Sequence, residues 1–310
     1  MDRIAVFGAA NVDIGGFPFA PLKSEDSNPG RVRSSMGGVG RNIACNLARL
    51  GVRTELVTAL GADHSAALVA QDCARAGVGL GHAVTFPDEA TSTYLFIAQD
   101  DGDMVLAVND MGIHERMTPT ALREAITALS DSALFVLDAN LPAETLSYLA
   151  AHAQAPVVAD AVSTAKAARL RDALPHIARF KPNRVEAEAL TGMRITGRES
   201  AESAVEALLR QGCAEVYCTL GTHGLCFGRS GRIRYWPGVP ARVVNATGAG
   251  DAFTAALAWS AAKGMDMEQS ALAGLAAASV AVEAEETVSP LMSEGHLLDR
   301  MADIARQIRP

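Results

Sequence analysis

The stretch Val244-Asn245-Ala246-Thr247-Gly248-Ala249-Gly250-Asp251-Ala252-Phe253 is the most informative part of this chain. Here a strand-like run over 242–245 meets an alanine-rich helical run over 247–263, and small residues fill the junction. Backbone N–H groups at a helix start that no side chain covers form a pocket for an oxyanion. Asp251 follows the glycines directly, within reach of that pocket as a base. The stretch indicates phosphoryl transfer to a hydroxyl. The alternative is a tight turn that needs glycine for its geometry, with Asp251 as a negative charge in the first turn of the helix.

Composition and charge limit the class of protein. The 310 residues are 49% hydrophobic and 20% charged, enough apolar sequence for a large folded core. The formal net charge is −8 and the basic residues are scattered, so no nucleic-acid partner is expected. Apolar segments near 252 and 271 are better explained as core helices than as membrane spans. The five cysteines form no CxxC pair, so we expect them to be reduced and structural. We also expect no signal peptide before the first strand, and therefore a cytoplasmic protein without membrane attachment.

Short apolar runs alternate with amphipathic segments along most of the chain. This alternation is typical of a mostly parallel sheet covered by helices, so we predict one domain over 1–310 with a three-layer α/β/α fold. Strands are predicted at 4–8, 54–59, 133–137, 156–159, 179–181 and 215–219. Helices are predicted at 39–50, 64–76, 118–129, 143–152, 184–190, 201–211, 248–263, 267–283 and 294–308.

Two segments of strand character, at about 14–36 and 80–108, interrupt this alternation. The second contains the hairpin signal Asp100-Asp101-Gly102-Asp103. We expect the two insertions to meet as a small β-sheet that serves as a lid over a ligand. Such a sheet has edges and an apolar face that need covering. The apolar face is formed here by Phe17, Phe19, Tyr94 and Phe96.

Two motifs near the N-terminus could bind an acceptor. Gly8-Ala-Ala-Asn11-Val-Asp13 follows the first strand, where Asp13 could accept hydrogen bonds from a sugar diol or form an Asx turn. Met36-Gly37-Gly38-Val39-Gly40-Arg41-Asn42 enters a helix through three glycines, which permit a close backbone approach to a ligand. Asn42 adds a donor and an acceptor in the first turns. A purely structural helix entry is the alternative.

Two later motifs could serve a nucleotide. In Lys181-Pro182-Asn183-Arg184-Val185-Glu186, an amide and a carboxylate three residues apart could hold the waters of Mg²⁺ or form a helix-capping box. In Thr219-Leu220-Gly221-Thr222-His223-Gly224, the glycines would let a nucleotide lie flat, or the loop is a simple hairpin turn. The sequence contains neither GxGxxG nor GxxxxGK[ST], which argues against an NAD-linked oxidoreductase and a Walker-type phosphate loop.

In their order, these five motifs resemble those of ribokinase-like (PfkB-type) carbohydrate kinases over roughly residues 3–290. The resemblance implies a ribokinase-like fold, ATP and Mg²⁺ as cofactors, and a homodimer through the lid; closure of the lid within one chain is the alternative. It implies the following roles: Asp251 as the catalytic base with Gly248, Ala249 and Gly250 as the anion hole; Asn183 and Glu186 as the Mg²⁺-associated pair; Asn183, Thr219, Gly221, Gly224 and Thr247 in the ATP site; and Asn11, Asp13, Gly37, Gly38 and Asn42 in the acceptor site.

The chain departs from the family pattern at two places. Asn245 and Ala246 stand where many relatives have Asp followed by Thr, and in ribokinase-type members that Asp belongs to a monovalent-cation site. Loss of a carboxylate weakens a cation site, so dependence on K⁺ stays open. Asn140 stands where ribokinases tend to carry Glu, which changes a polar partner near the nucleotide or the sugar.

Within the family, the stretches 26–30, 37–44, 109–111 and 181–188 look like those of pseudouridine kinases. We therefore expect ATP-dependent phosphorylation of the 5′-hydroxyl of pseudouridine. The alternatives are the same chemistry on ribose, another nucleoside or a hexose, and a non-catalytic nucleoside sensor. A lid group that pairs with the extra ring N–H of pseudouridine would discriminate it from uridine. The candidate residues for reading the base are Asp26, Ser27, Asn28 and Asn109, with Asn140 and Lys166 near the acceptor.

Overall fold

The computed structural model describes residues 3–99 and 104–308. Its strands are β1 (Ile4–Phe7), β2 (Asn11–Pro18), β3 (Gly30–Gly37), β4 (Thr54–Val57), β5 (Ala59–Leu60), β6 (Val78–Gly79), β7 (Val84–Thr85), β8 (Thr93–Ala98), β9 (Met104–Asp110), β10 (Leu134–Asp138), β11 (Val157–Asp160), β12 (Arg179–Lys181), β13 (Glu215–Thr219), β14 (Leu225–Arg229) and β15 (Arg232–Trp236). Its α-helices are α1 (Val39–Arg49), α2 (His64–Ala76), α3 (Arg123–Ala128), α4 (Ala143–His152), α5 (Thr164–Ala167), α6 (Arg184–Thr191), α7 (Arg198–Arg210), α8 (Ala249–Ala262), α9 (Met267–Val282) and α10 (Glu294–Ile308).

A nine-stranded sheet forms the centre of the molecule, in the order β15-β14-β13-β12-β11-β10-β1-β4-β6. Strand β1 shows how it is covered: Ile4 and Val6 pack with apolar residues of α1, α2, α8, α9 and α10, whereas Ala5 and Phe7 pack with those of α3 to α7. Successive side chains of a strand point to opposite faces, so both faces of the sheet are buried under helices. The predicted three-layer α/β/α fold with a mostly parallel sheet is confirmed.

The two inserted segments pair with each other in a separate sheet of order β3-β2-β8-β9. Strand β2 runs antiparallel to β3 and parallel to β8, so it joins the first segment to the second. This is the small β lid that the sequence predicts. The hairpin signal at Asp100–Asp103 lies outside the described residues.

Two sequence predictions of secondary structure are wrong. The run 242–245 is not a strand: the N–H groups of Val244 and Asn245 donate to the carbonyl oxygen of Val282 at the end of α9, at 2.7 and 3.2 Å, instead of to a neighbouring strand. The helix predicted at 118–129 is confined to α3, because residues 118–122 form a separate turn. The Leu122 N–H donates to the Thr118 carbonyl oxygen at 3.0 Å, and the Ala121 N–H donates to the Thr118 side-chain oxygen.

All five cysteines are buried with free thiols, as expected for structural residues. Over the described ranges, none of the helices combines the length and the apolar character that crossing a membrane requires.

Candidate active site

Polar side chains stand at the carboxyl ends of five parallel strands. Asn11 follows β1, Asp138 ends β10, Asp160 ends β11, Lys181 ends β12 and Thr219 ends β13. The carboxyl ends of parallel strands share one edge of the sheet, which is where open α/β sheets bind their ligands. The candidate site is therefore built on this edge.

The glycine-rich loop forms the start of helix α8 above that edge. The N-cap residue Gly248 has a left-handed φ of 85°, and a side chain there would overlap the backbone of Thr287. The helical ladder begins with the bond from the Ala252 N–H to the Gly248 carbonyl oxygen at 2.9 Å. The amides of Gly250 and Asp251 precede that ladder, which is the arrangement that an oxyanion pocket needs.

Asp251 lies in the first turn of α8 and is half-buried. The side-chain amide of Asn42 in α1 donates to its Oδ2 at 2.8 Å. Burial raises the pKa of Asp251 to about 7, and the nearby Asp160 carboxylate adds to the rise, while the Asn42 bond and Lys181 oppose it. A general base works best with a pKa near the working pH, and Asp251 meets that condition.

A buried network below the loop was not predicted from the sequence. Lys181 and Asp160 form an ion pair at 2.9 Å with side chains only 6% and 3% exposed. The Thr254 hydroxyl donates to Asp160 at 2.5 Å, which ties α8 to β11. A Cβ on Gly250 would come within 2.9 Å of the Lys181 Nζ, so the loop rests directly on this ammonium group. Burial alone would lower the pKa of Lys181, but the carboxylates of Asp160, Glu186 and Asp251 together outweigh it and the pKa is raised.

A signal for this network is present in the sequence. Asp138 and Asp160 each end a run of apolar residues that the structure shows as a buried strand, and Lys181 ends β12 directly after the buried Phe180. Charged residues are almost never fully buried unless they are paired. A charge directly after such a run therefore predicts a partner at the same sheet edge.

The residues expected to bind the acceptor lie on β2 and on the glycines before α1. The side-chain amide of Asn11 donates to Asp13 Oδ1 at 2.6 Å. A side chain at Gly37 would overlap the Asp13 carboxylate, and one at Gly38, which has a φ of 98°, would overlap the backbone of Ala9. Both glycines therefore permit a close approach of backbone to backbone or carboxylate. Burial raises the pKa of Asp13.

Asn140 and Lys166 lie together, whereas Asn28 and Asn109 lie apart from them on the lid. The Lys166 ammonium donates to the Asn140 side-chain oxygen, and burial lowers the pKa of Lys166. The side chain of Asn28 closes its own loop, accepting the Lys23 N–H at 2.8 Å. Asn109 on β9 is exposed and stands opposite Tyr94 of β8. Of these four residues, Asn140 and Lys166 alone contact each other.

The connection between β13 and β14 lines two cavities on the other side of the glycine-rich loop. One, of about 860 Å³, is lined by Lys181, Asn183, Thr219 and Gly250, among others. The second, of about 640 Å³, is mostly apolar and is lined by residues that include Gly224, Val239, Phe253, Leu275 and Val282. Gly221 and Gly250 line both cavities, so a ligand with polar and apolar parts could extend across them. Thr247 lines the cavity on the lid side instead.

Asn183 and Glu186 form a capping box at the start of α6. Asn183 Oδ1 accepts the Glu186 N–H at 3.0 Å, and Glu186 Oε2 accepts the Asn183 N–H at 2.7 Å. The structural alternative considered for this motif is therefore present. If Glu186 also holds a metal-bound water, its second carboxylate oxygen, Oε1, is the one that accepts from it.

Asn245 connects two loops near the anion hole. Its side-chain amide donates to the carbonyl oxygen of Glu285 at 2.9 Å, and its side-chain oxygen accepts the N–H of Thr247 at 2.9 Å. Asparagine can make both bonds because it carries a donor and an acceptor, whereas an aspartate could accept but not donate.

The chain is similar to known proteins over almost its whole length. The family model described as pfkB family carbohydrate kinase matches residues 1–294. Pseudouridine kinase of Escherichia coli K12 is 33% identical over 299 residues, with 96% of each chain covered. The uncharacterized sugar kinase YeiI of the same organism is 34% identical over 295 residues, covering 94% of this chain and 82% of that one.

Among solved structures, the ribokinase of Arabidopsis thaliana complexed with ribose and ATP superposes with a TM-score of 0.85. It is 25% identical in sequence, with 97% of this chain and 98% of that chain covered. The fold is thus ribokinase-like, as the sequence resemblance implies. The chain belongs to the pfkB family of carbohydrate kinases.

Proposed function

We propose that this chain is an ATP- and Mg²⁺-dependent kinase that phosphorylates the 5′-hydroxyl of pseudouridine, giving pseudouridine 5′-phosphate and ADP. The observation that carries the proposal is the position of Asp251, beside the start of α8 and bonded to Asn42 of the acceptor side. The similarity to the pseudouridine kinase of Escherichia coli along nearly the whole of both chains supports the choice of acceptor.

The proposed reaction uses Asp251 as a general base. Asp251 accepts the proton of the 5′-hydroxyl while the hydroxyl oxygen bonds to the γ-phosphorus and the bond to the β-phosphate oxygen of ADP breaks. The amides of Gly248, Gly250 and Asp251 donate to the transferring phosphoryl oxygens, where negative charge is spread in the transition state, whereas the Ala249 N–H already donates to the Ala246 carbonyl oxygen at 3.5 Å. Loss of one such donor typically costs about 10²–10³ in kcat.

Asn183 and Glu186 fit a Mg²⁺ ion held through water. Glu186 uses Oε2 for its capping bond, which leaves Oε1 as the oxygen for a metal-bound water. Over 3–99 and 104–308, the His, Cys, Asp and Glu side chains form no group of three or more that could hold an ion directly. Water-mediated contacts suit Mg²⁺, which dehydrates reluctantly. When bound, the ion neutralises charge on the β- and γ-phosphates.

Replacing Asp251 by Asn should abolish turnover and leave acceptor binding largely intact, because the side chain keeps its shape and loses its basicity. We expect kcat to fall by about 10²–10⁴, the usual contribution of a general base. Steady-state ADP release and calorimetric titration of the acceptor measure the two effects. Asp266→Asn is the matched control, since Asp266 caps α9 and asparagine caps equally well. A near-normal rate in Asp251→Asn would rule out the proposed base.

An acceptor screen tests the proposed substrate. ADP release is measured with pseudouridine, uridine, inosine, ribose and fructose under the same Mg²⁺ and ATP concentrations. We expect kcat/KM for pseudouridine to exceed that for every other acceptor by at least about tenfold, because a site built to bond a polar ring group rejects acceptors that lack it. A preference for ribose or another nucleoside would replace the acceptor and keep the chemistry. Pseudouridine binding with no ADP formed from any acceptor would instead favour a sensor.

We propose that turnover does not require K⁺. The side-chain amide of Asn245 donates to the Glu285 carbonyl oxygen, a group that could otherwise coordinate a cation. The Asn245 side chain carries no net charge to balance a bound cation, and its N–H group already forms a hydrogen bond with the Glu285 carbonyl oxygen. The bond thus joins the 285 loop to the residues before the anion hole without an ion.

Replacing KCl by tetramethylammonium chloride at constant ionic strength should change the wild-type rate by less than about twofold. In Asn245→Asp the donor is lost and a carboxylate is introduced, so we expect a slower enzyme whose rate K⁺ partly restores. Stimulation of the wild-type enzyme by K⁺ of about tenfold or more would contradict this account.

We also propose a homodimer through the lid, but through a different face from the one first expected. Phe17, Tyr94 and Phe96 line the cavity beside Asp13. The face turned away from the cavity carries exposed aliphatic residues, which a partner could cover. They are Val32 (77% exposed), Leu95 (42%), Leu106 (61%) and Val108 (58%).

Sedimentation should show a wild-type dimer and a largely monomeric Val108→Asp variant, because a buried unpaired carboxylate opposes association. A wild-type chain that sediments as a monomer would contradict the proposed homodimer.

A further inference from the structure

A buried histidine lies where the lid joins the rest of the chain. His114 belongs to a short helical turn over Gly112–Arg116, just after the last lid strand β9, and is 1% exposed. Its Nδ1 lies 3.0 Å from the Oγ of Ser92, one residue before β8 begins. Its Nε2 lies 3.5 Å from the Oγ1 of Thr58, between β4 and β5. The ring therefore joins a lid strand to the central part of the molecule.

The two partners of this ring hold the chain on both sides of Asn11. The Ala10 N–H donates to the Thr58 Oγ1 at 3.1 Å. The Val12 N–H donates to the Ser92 carbonyl oxygen at 3.0 Å. The contacts of one histidine ring thus reach the backbone directly before and directly after residue 11.

This part of the backbone carries residues expected to bind the acceptor. The Asn11 side chain donates to Asp13 at 2.6 Å, and both residues lie at the start of β2. The position of the Asn11 backbone determines where its amide meets the Asp13 carboxylate. A displacement of about 1 Å in a substrate site can cost about a hundredfold in rate, even when its cause lies far from the chemistry. The buried His114 can therefore influence acceptor binding through other residues.

An imidazole suits this position because it serves both hydroxyl groups at once. A neutral ring has one N–H donor and one acceptor nitrogen, so either tautomer donates to one hydroxyl and accepts from the other. Burial lowers the pKa of His114 to about 4, so the ring is neutral near pH 7. An aliphatic side chain would fill the same space and leave the hydroxyls of Ser92 and Thr58 without this partner.

We infer that His114 is a positioning residue for the acceptor site, acting through Ser92 and Thr58 on the backbone that carries Asn11. The inference rests on the proposed function, because it takes Asn11 and Asp13 as residues that bind the acceptor. The cavity proposed for the nucleotide is lined from β12 and β13 instead, so ATP binding does not depend on this ring.

Replacing His114 by Leu should weaken acceptor binding and leave ATP binding unchanged. We expect the KM for the best acceptor of the wild-type enzyme to rise about tenfold and the KM for ATP to change less than about twofold, because the lost hydrogen bonds hold β2 alone. A smaller amount of folded enzyme would lower the apparent kcat and leave both KM values unchanged. His114→Asn places an amide at the position of Nδ1 and keeps a bond to Ser92, so it should bring the acceptor KM to within about threefold of the wild-type value.

Thr145→Val is the matched control. Thr145 is also fully buried, and its hydroxyl donates to the Met117 carbonyl oxygen at 2.8 Å, just after the same helical turn. The variant loses one buried hydrogen bond that does not reach residues 10–12, so both KM values should stay at those of the wild-type enzyme.

Hydrogen exchange reports on the same contacts without turnover. In His114→Leu the amides of Ala10 and Val12 should exchange at least about tenfold faster than in the wild-type chain, because the segment opens more often. The Ala252 amide, which donates to Gly248 at the start of α8, should keep its wild-type rate.

The outcomes separate the two proposals. If an acceptor other than pseudouridine is best, the choice of pseudouridine is wrong and the kinetic test of His114 uses that acceptor. If no acceptor is phosphorylated, the kinase function is wrong, and hydrogen exchange decides whether His114 positions β2. An acceptor KM that changes less than about twofold in His114→Leu, an equal rise in the KM for ATP, or unchanged exchange at Ala10 and Val12 would overturn the inference. If His114→Leu does not fold, Ser92→Ala, which removes one of the two hydroxyls, takes its place with the same expected results.

Discussion

The buried ion pair between Lys181 and Asp160 is the interaction on which the site depends. It joins the ends of β11 and β12, and the Thr254 hydroxyl adds α8 to the same group. Breaking such a pair from one side typically costs about 3–5 kcal/mol, because it leaves an uncompensated buried charge. The pair therefore fixes the height of the anion hole above the sheet. It also acts on Asp251 from both sides, since Asp160 raises its pKa and Lys181 lowers it.

The two halves of the candidate site differ in how they are built. The half proposed for the nucleotide and the phosphoryl group rests on the ends of buried parallel strands, and rigid elements hold functional groups more precisely than loops do. The half proposed for the acceptor is built on the lid, where β2 and β8 leave the core side by side and the glycines at 37 and 38 permit close contact. In the family, such a division would let one transfer chemistry serve many acceptors, with specificity determined by the lid.

Much of this arrangement could be predicted from the sequence. Alternating apolar and amphipathic segments gave the layered fold, and Gly248 and Asp251 marked the start of α8. The Lys181–Asp160 pair was missed because sequence separation hides partners that only the sheet brings together. The run 242–245 reads as a strand because it is apolar, yet its backbone bonds to the end of α9. The sequence predicts an apolar face of Phe17, Phe19, Tyr94 and Phe96 that a second lid covers. Phe17 is an even number of residues from Asp13, however, and therefore shares its face of β2.

The pH dependence of kcat/KM tests the central claim, that Asp251, whose pKa is raised, is the general base. Since its pKa is about 7, the carboxyl group is protonated below that pH, and kcat/KM should fall about tenfold for each unit of decrease below it. In Asn42→Ala the bond that lowers this pKa is gone, so the fall should begin at higher pH. The protonation of ATP depends on pH in the same way in both assays, so it cannot cause the shift between the pH profiles of the wild-type enzyme and Asn42→Ala. A kcat/KM that stays constant down to about pH 5, or the same profile in both enzymes, would contradict the account.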